Sequence, residues 1–299
     1  MCDQRIYTTP HTGAPVRHGA SVTVSPMAQA PETERSADGE RQQSLQSLER
    51  GMAVIQVFSR ERPALTLSEV ANLTGITRAT ARRILLTLEK LGHVRSDGRL
   101  FSPTPRLLTL GWAYLSSLNL SELALPLMET LVEETHESCS AATLDLPDVV
   151  YVARVPTRRI MSITLSVGTR LPAHCTSMGR VLLAALPPDE LDRYLAGAKL
   201  ETWTERTTTD SERLRAALDE TRQRGWALVD QELEIGLRSV AAPIRRGPDT
   251  IAALNVSSAV SRVSLDDLRR RILPPLVATA NTISNALTQQ GPAYHRTVS

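Results

Sequence analysis

Aromatic residues are scarce: two Phe, three Trp and five Tyr make up 3% of the 299 residues. That argues against a stacked aromatic platform of the kind that holds single-stranded nucleic acid. The cysteines, Cys2, Cys139 and Cys175, are odd in number and far apart. They form no C-x-x-C pair or disulfide framework, and a reducing compartment is expected. His136 with Cys139, and His174 with Cys175, do not have the spacing of a standard zinc site, so neither metal nor cofactor is expected. No apolar run is long enough to span a bilayer. The first residues also lack the basic-then-apolar order of a signal peptide, so the expectation is a cytoplasmic protein with no membrane contact. Catalytic signatures are missing as well. There is no G-x-S-x-G, phosphate loop, dinucleotide fingerprint or H-E-x-x-H, and an enzyme is not expected. The acidic run 230–234 can imitate a general-base pair, but it reads better as a solvated loop that closes over a ligand.

What is present is unevenly distributed. The net charge is only +2, yet residues 41–106 hold 11 Lys+Arg against 5 Asp+Glu, and the rest of the chain is mildly acidic. A basic module on an acidic body suits a DNA-reading head attached to a body that binds something else. The length allows two domains, each with its own core. Residues 1–43 are rich in Pro, Thr, Ser, Gly and charge, without helical or strand period, and read as a disordered tail. Met27 lies inside it and is an alternative start to Met1, which N-terminal sequencing of the native protein would settle.

A first helix is expected over 44–58. Thr66-Leu67-Ser68-Glu69 is a capping box that starts a short second helix, closed by Thr74-Gly75. Thr77 then caps a third helix reaching Leu91. At roughly 100° per residue its apolar face carries Ala81, Ile84, Leu88 and Leu91, with Leu85 on the flank. Ala79, Arg82, Arg83 and Leu86 lie opposite, with Arg78 beside them. Such a face is either a solvated basic surface or a helix built to enter a major groove. Its neighbours decide. Two helices joined by a short Gly-containing turn form a helix-turn-helix. Asp97-Gly98 between two β-prone runs then marks a hairpin, the wing of a winged helix. Candidate DNA-contacting residues are Arg78, Ala79, Thr80, Arg82, Arg83 and Thr87 of the helix and Arg95 and Arg99 of the hairpin.

The winged head is assigned to 44–105. Residues 106–118 form a linker helix too apolar to stand free, expected to pack on another chain or on the next domain. A second domain covers 119–290. It opens with a helix over 121–135, in which Pro126 either kinks the helix or shifts its start. Extended runs at 139–144, 149–155 and 160–167 follow. Helices are expected at 177–186, 188–195 and 211–224, then an extended run at 226–230 and a hairpin of 239–244 with 251–257. A last helix, 264–287, is interrupted by Pro274-Pro275. Strands in hairpins with helices before and after imply an α+β domain rather than a doubly wound sheet.

These segments resemble the IclR family of bacterial transcriptional regulators from about Leu45 to Leu287. The resemblance rests on Ser47-Leu48-Glu49-Arg50-Gly51, the helix-turn-helix, the run 171–180 (Leu171-Pro172-Ala173-His174-Cys175-Thr176-Ser177-Met178-Gly179-Arg180), the run 234–243 and Leu254-Asn255-Val256-Ser257. Residues 151–159 most resemble the branch regulating the β-ketoadipate pathway of aromatic breakdown. The resemblance implies a winged helix-turn-helix, a linker helix and a GAF-like effector domain. It also implies homodimers or homotetramers on palindromic promoter DNA, contact with RNA polymerase in activating members, and a small aromatic or dicarboxylic acid as effector. Carried over by motif, the effector positions are Ser177, Met178, Val229, Asp230, Ser239, Asn255 and Ser257. Val229 departs from relatives that carry an acid there. Ser177 lies at a helix start, where it is either an anion contact or simply the N-cap. Arg154, in an apolar strand, either clamps a carboxylate or pairs with Asp145 or Asp148. Arg158 and Arg159 read as solvated. Two rivals stay open: a catalytic ligand-binding domain whose winged helix serves assembly, and a ligand-independent winged-helix DNA binder.

Overall fold

The hydroxyl of Thr66 and the carboxylate of Glu69 set the first landmark. Glu69 N–H donates to Thr66 Oγ1 at 3.3 Å, and Thr66 N–H donates to Glu69 Oε2 at 2.7 Å. This reciprocal cap satisfies two amides that the start of a helix would otherwise leave without partners. The computed structural model describes residues 45–59, 61–118, 120–157 and 165–289. The expected tail 1–43 lies outside them, as do Arg158, Arg159 and most of the run 160–167.

The described residues divide into two compact units, one of residues 45–90 with Ser96–Ser102 and one of Leu91–Arg95 with residues 103–289. In the first, α1 (Gln46–Gln56), α2 (Leu67–Thr74) and α3 (Arg78–Lys90) pack on one another. Short strands β1 (Leu65–Thr66), β2 (Val94–Ser96) and β3 (Leu100–Pro103) form a sheet in the order β1-β3-β2, with β1 antiparallel to β3. Gly75 ends α2 at φ +67°, a left-handed conformation that glycine adopts without strain. Val54, Val70, Ala71, Ala81, Leu85 and Leu88 are buried. The inward stripe of α3 therefore centres on Leu85 rather than beside it, and Leu91, expected inside, is 52% exposed. α3 ends at Lys90, so Leu91 no longer follows the helical period.

The second unit is built on an antiparallel sheet. Its strands are β4 (Ser138–Asp145), β5 (Asp148–Val155), β6 (Arg170–Pro172), β7 (Ala227–Asp230), β8 (Leu237–Arg246) and β9 (Asp249–Ala259). Their order is β6-β5-β4-β9-β8-β7. Helices cover both faces, giving the expected α+β class. Against one face lie α5 (Leu120–Thr135) and α10 (Leu273–Gln289), sharing a core with Cys139, Val240, Leu254 and Val256. Against the other lies α6 (Ser177–Ala184), backed by α7 (Pro188–Gly197) and α8 (Ser211–Arg224), around Ala142, Tyr151, Ala241 and Ala253. The alanines on this second face let α6 approach closely. Leu165 to Val167 are not in a strand, and β6 was not anticipated because three residues carry no period.

Two helix ends depart from expectation. Pro274-Pro275 do not interrupt the last helix, which stays helical without a gap from Leu265 to Gln289. The irregularity lies upstream, as a π-helical turn at Leu268–Ile272 following the short α9 (Leu265–Asp267). Pro126 lies inside α5, which starts earlier than expected, at Leu120. Among the described residues no helix is long and apolar enough to cross a membrane.

Candidate DNA-contacting helix and sheet-face site

In α3 the Thr77 hydroxyl accepts from Thr80 N–H at 3.2 Å, confirming the cap. Thr80 Oγ1 lies 2.9 Å from Thr77 Oγ1, so this half-buried side chain belongs to the cap rather than to the outer face. Arg78, Ala79, Arg82, Arg83, Leu86, Thr87 and Lys90 are exposed, a spacing of one, three or four that defines a single side of the helix. None of the four Arg and Lys side chains carries an ion pair among the described residues, so their donors are available to an anionic partner. Thr87 Oγ1 donates back to Arg83 O at 2.8 Å.

The wing tip is rigid for a local reason. Asp97 Oδ1 accepts from Arg99 N–H at 2.9 Å and from Leu100 N–H at 2.7 Å. Gly98 takes φ +95°. The Leu100 and Arg99 amides hold the Asp97 carboxyl below its usual range. Arg95 and Arg99 are exposed on either side of this turn.

The second site is a row of small polar side chains across five strands. Val229 pairs with Ser239, Ser239 with Ser257 and Ser257 with Ser138. One step along, Asn255 pairs with Ser140 and Ser140 with Arg154. Partners in register share a face, as do residues two apart, so all seven line the side on which α6 packs. Ser138 and Ser140 were not singled out in the sequence. Their period-two alternation with Cys139 and Ala141 was the available signal.

Asp230 is not among them. It alternates to the opposite face, where its carboxylate meets Arg238 Nε at 2.9 Å and Arg206 at 3.5 Å. Nor does Arg154 pair with Asp145 or Asp148. Arg170 of β6 takes both, the Asp148 contact at 3.1 Å. Arg154 instead donates to Ser140 Oγ at 3.3 Å and has no carboxylate partner among the described residues. Burial lowers its pKa from the usual guanidinium value, the sign of a partly desolvated cation.

Ser177 is not the N-cap of α6. Thr176 Oγ1 accepts from Gly179 N–H at 3.1 Å and fills that role. The Ser177 hydroxyl is left buried with no hydrogen-bond partner, and so is Asn255 Oδ1, whose amide nitrogen donates to Ser257 Oγ at 3.0 Å. Met178, fully buried, packs with the alanines of the same face. Buried polar atoms without partners cost of the order of 1–3 kcal/mol each, and a polar ligand would relieve that cost. Cys139 and Cys175 are inert by contrast; burial pushes the Cys175 thiol up to about 12. Among the described residues no three His, Cys, Asp or Glu gather as metal ligands would.

A winged helix with a free basic face, followed by a sheet domain with unpaired buried polar groups, defines a DNA-binding regulator with a separate sensing domain. Comparison with known proteins narrows the class. The IclR helix-turn-helix domain matches residues 47–98, and the C-terminal domain of the bacterial transcriptional regulator IclR matches residues 112–285. The chain is 43% identical over 289 residues to the Pca regulon regulatory protein of Pseudomonas putida, covering 96% of this chain and 99% of that one. A transcriptional regulator from Rhodococcus sp. RHA1 of known structure is 51% identical, with a TM-score of 0.74 over 83% of this chain and 100% of that one. An IclR homolog from Microbacterium hydrocarbonoxydans, solved in complex with 4-hydroxybenzoate, is 26% identical. Its TM-score is also 0.74, over 81% and 99% of the two chains. The chain belongs to the IclR family, and it is a DNA-binding transcriptional regulator.

Proposed function

We propose that this regulator reads promoter DNA through α3 and the wing, and that a small organic acid of aromatic catabolism bound on the sheet face controls it. The division into a head of 44–105, a linker of 106–118 and an effector domain of 119–290 belongs to this reading. Arg78, Ala79, Arg82, Arg83 and Thr87 face the groove, and Arg95 and Arg99 grip the backbone alongside. The apolar side chains of α4 (Leu108–Leu118), among them Leu108 at 75% and Trp112 at 62% exposure, suit burial against a second copy in a homodimer or tetramer on palindromic DNA. Contact with RNA polymerase, residence in the cytoplasm and the lack of a catalytic step complete the proposal.

The observation that carries the effector reading is that α6 and the sheet face it packs on hold two buried polar atoms without partners, Ser177 Oγ and Asn255 Oδ1, and a cation without a carboxylate among the described residues, Arg154. Arg154 and the Ser177 hydroxyl can donate to a carboxylate, while Asn255 Oδ1 can accept from a ligand hydroxyl. A hydroxylated aromatic monoacid supplies both groups, and relatives named for the Pca regulon and for a 4-hydroxybenzoate complex support that class. Binding regulates only if the two DNA-binding arrangements differ in affinity for the ligand. Calorimetric titration of the full chain with 4-hydroxybenzoate tests this. An Arg154→Met variant should bind roughly tenfold or more weakly, since a charged hydrogen bond is worth about 1.5–3 kcal/mol. Unchanged affinity would remove Arg154 from the site.

A further inference from the structure

A cavity of about 680 Å³ lies away from the sheet-face site, between the β4–β5 turn, the start of the run into α6 and the end of α7. Leu146, Pro147 and Pro172 form apolar walls, and the ring of Tyr194 lines it. Tyr194 is only 7% exposed, yet its hydroxyl makes no hydrogen bond among the described residues. Burial pushes that hydroxyl up to about 12, so it stays protonated and able to donate. His174, also lining the cavity, is 3% exposed, and its Nε2 lies 3.0 Å from Glu201 O. A carbonyl oxygen only accepts, so Nε2 carries the proton. Burial lowers the pKa of His174 and keeps it neutral, leaving Nδ1 as an acceptor.

The rim sets the charge a ligand can carry. Asp148 is taken by Arg170, and Arg193 by Asp189. That leaves the Lys199 ammonium against the Glu190 and Glu201 carboxylates, none of them ion-paired among the described residues. One cation can meet one carboxylate of a ligand, whereas two rim carboxylates repel a dianion.

We propose that this cavity is a second ligand site, taking a small hydroxylated ring compound, neutral or singly charged, held by Tyr194 as donor and His174 as acceptor. The inference goes beyond the sheet-face reading and does not depend on it. Two such sites reinforce each other only if both ligands favour the same arrangement of the protein.

Calorimetry on the full-length protein, with phenol and 4-hydroxybenzoate as probes and succinate as the dianion control, tests it. Tyr194→Phe removes only the oxygen. Gly197→Phe fills the space, because a Cβ at Gly197, a lining residue, meets nothing within 4 Å. The wild type should show a site for both phenolic probes and none here for succinate. Tyr194→Phe should weaken that site roughly three- to tenfold, and Gly197→Phe should abolish it, with melting curves showing both variants folded. If Gly197→Phe misfolds, Tyr194→Phe alone decides. Phenolic binding unchanged in the variants, or absent from the wild type, would overturn the proposal. An Asn255→Ala variant separates the two readings. Loss of 4-hydroxybenzoate binding in Asn255→Ala with none in the cavity variants leaves only the sheet-face site standing. The reverse pattern supports the cavity and counts against the sheet face.

Discussion

Gly179→Ala sets two physical effects against each other in the same helix. Propensity alone favours alanine inside a helix by about 0.8–1 kcal/mol. The packing opposes it. A Cβ at Gly179 would lie within 2.5 Å of three backbone atoms of Ala173, the nearest being its carbonyl oxygen. Ordinary contact needs well over 3 Å, so α6 or the loop before it must move by about an ångström. Moving it strains the Thr176 cap on the Gly179 amide and the 3.1 Å bond from Arg180 Nε to His174 O. Overpacking of this kind costs about 1–3 kcal/mol and sometimes more, and a lost cap adds about 1. The steric terms win, and a net loss of roughly 2 kcal/mol is expected. For a unit of this size that lowers Tm by about 4–8 °C. Differential scanning calorimetry of the full chain is the assay, with Gly51→Ala as the control. Gly51 lies in α1 with nothing within 4 Å of its would-be Cβ, and there alanine should be neutral or stabilising. An unchanged or raised Tm for Gly179→Ala would refute the reasoning.

Other consequences follow from the same contacts. Thr66→Ala removes the capping box of α2 and should cost about 1 kcal/mol, read as a lower melting point of the N-terminal unit. Arg180 and Glu232 form a buried pair at 2.7 Å, with Glu232 also accepting from Thr208 N–H at 2.9 Å. Arg180→Met alone should destabilise by about 3–5 kcal/mol in chemical denaturation, because it strands a buried carboxylate. Arg180→Met with Glu232→Leu should recover much of that loss. Acid should loosen the wing and the second helix. Backbone amides hold Asp97 and Glu69 below their ordinary values, so their contribution is present above the unfolded pKa and lost as pH falls through the lower folded one. The protection of the Leu100 amide, taken relative to its intrinsic exchange rate at each pH, should therefore fall between about pH 5 and 3 in the wild type more than in Asp97→Asn. Asp230→Asn should leave 4-hydroxybenzoate affinity unchanged, since that carboxylate faces Arg238 on the other side of the sheet; a tenfold loss would place it back in the site.

What could be read in advance was what local chemistry decides. The Thr66–Glu69 box, the Gly75 stop and the Asp97-Gly98 turn each depend on a few consecutive residues, and each is found where expected. The limits of α8, expected at 211–224, match for the same reason, with Gly225 ending it at φ +80°. Non-local choices were not. Whether Val229 or Asp230 faces α6 depends on the register of β7 with β8, and a shift of one residue exchanges them. The partner of Asp145 and Asp148 is Arg170, on a strand too short to show a pattern. Thr176 and Ser177 are adjacent hydroxyls competing for one cap, and only the path of the chain into α6 decides which takes it. The losing hydroxyl proved the more informative, because it is left buried and unpaired. For the last helix, two prolines lacking N–H groups can be accommodated by a break or by a wider turn upstream. The π-helical turn at Leu268–Ile272 is the second solution.

The central claim is that the exposed face of α3 reads DNA, and a salt titration of promoter binding tests it most directly. Fluorescence anisotropy with the DNA upstream of the gene, over about 50–200 mM salt, should show a steep linear loss of log affinity for the wild type. Arg82→Ala/Arg83→Ala should bind at least tenfold more weakly. It should also show a slope smaller by about 0.9 for each of the two side chains that contacts phosphate. Affinity and slope both equal to those of the wild type would contradict the account.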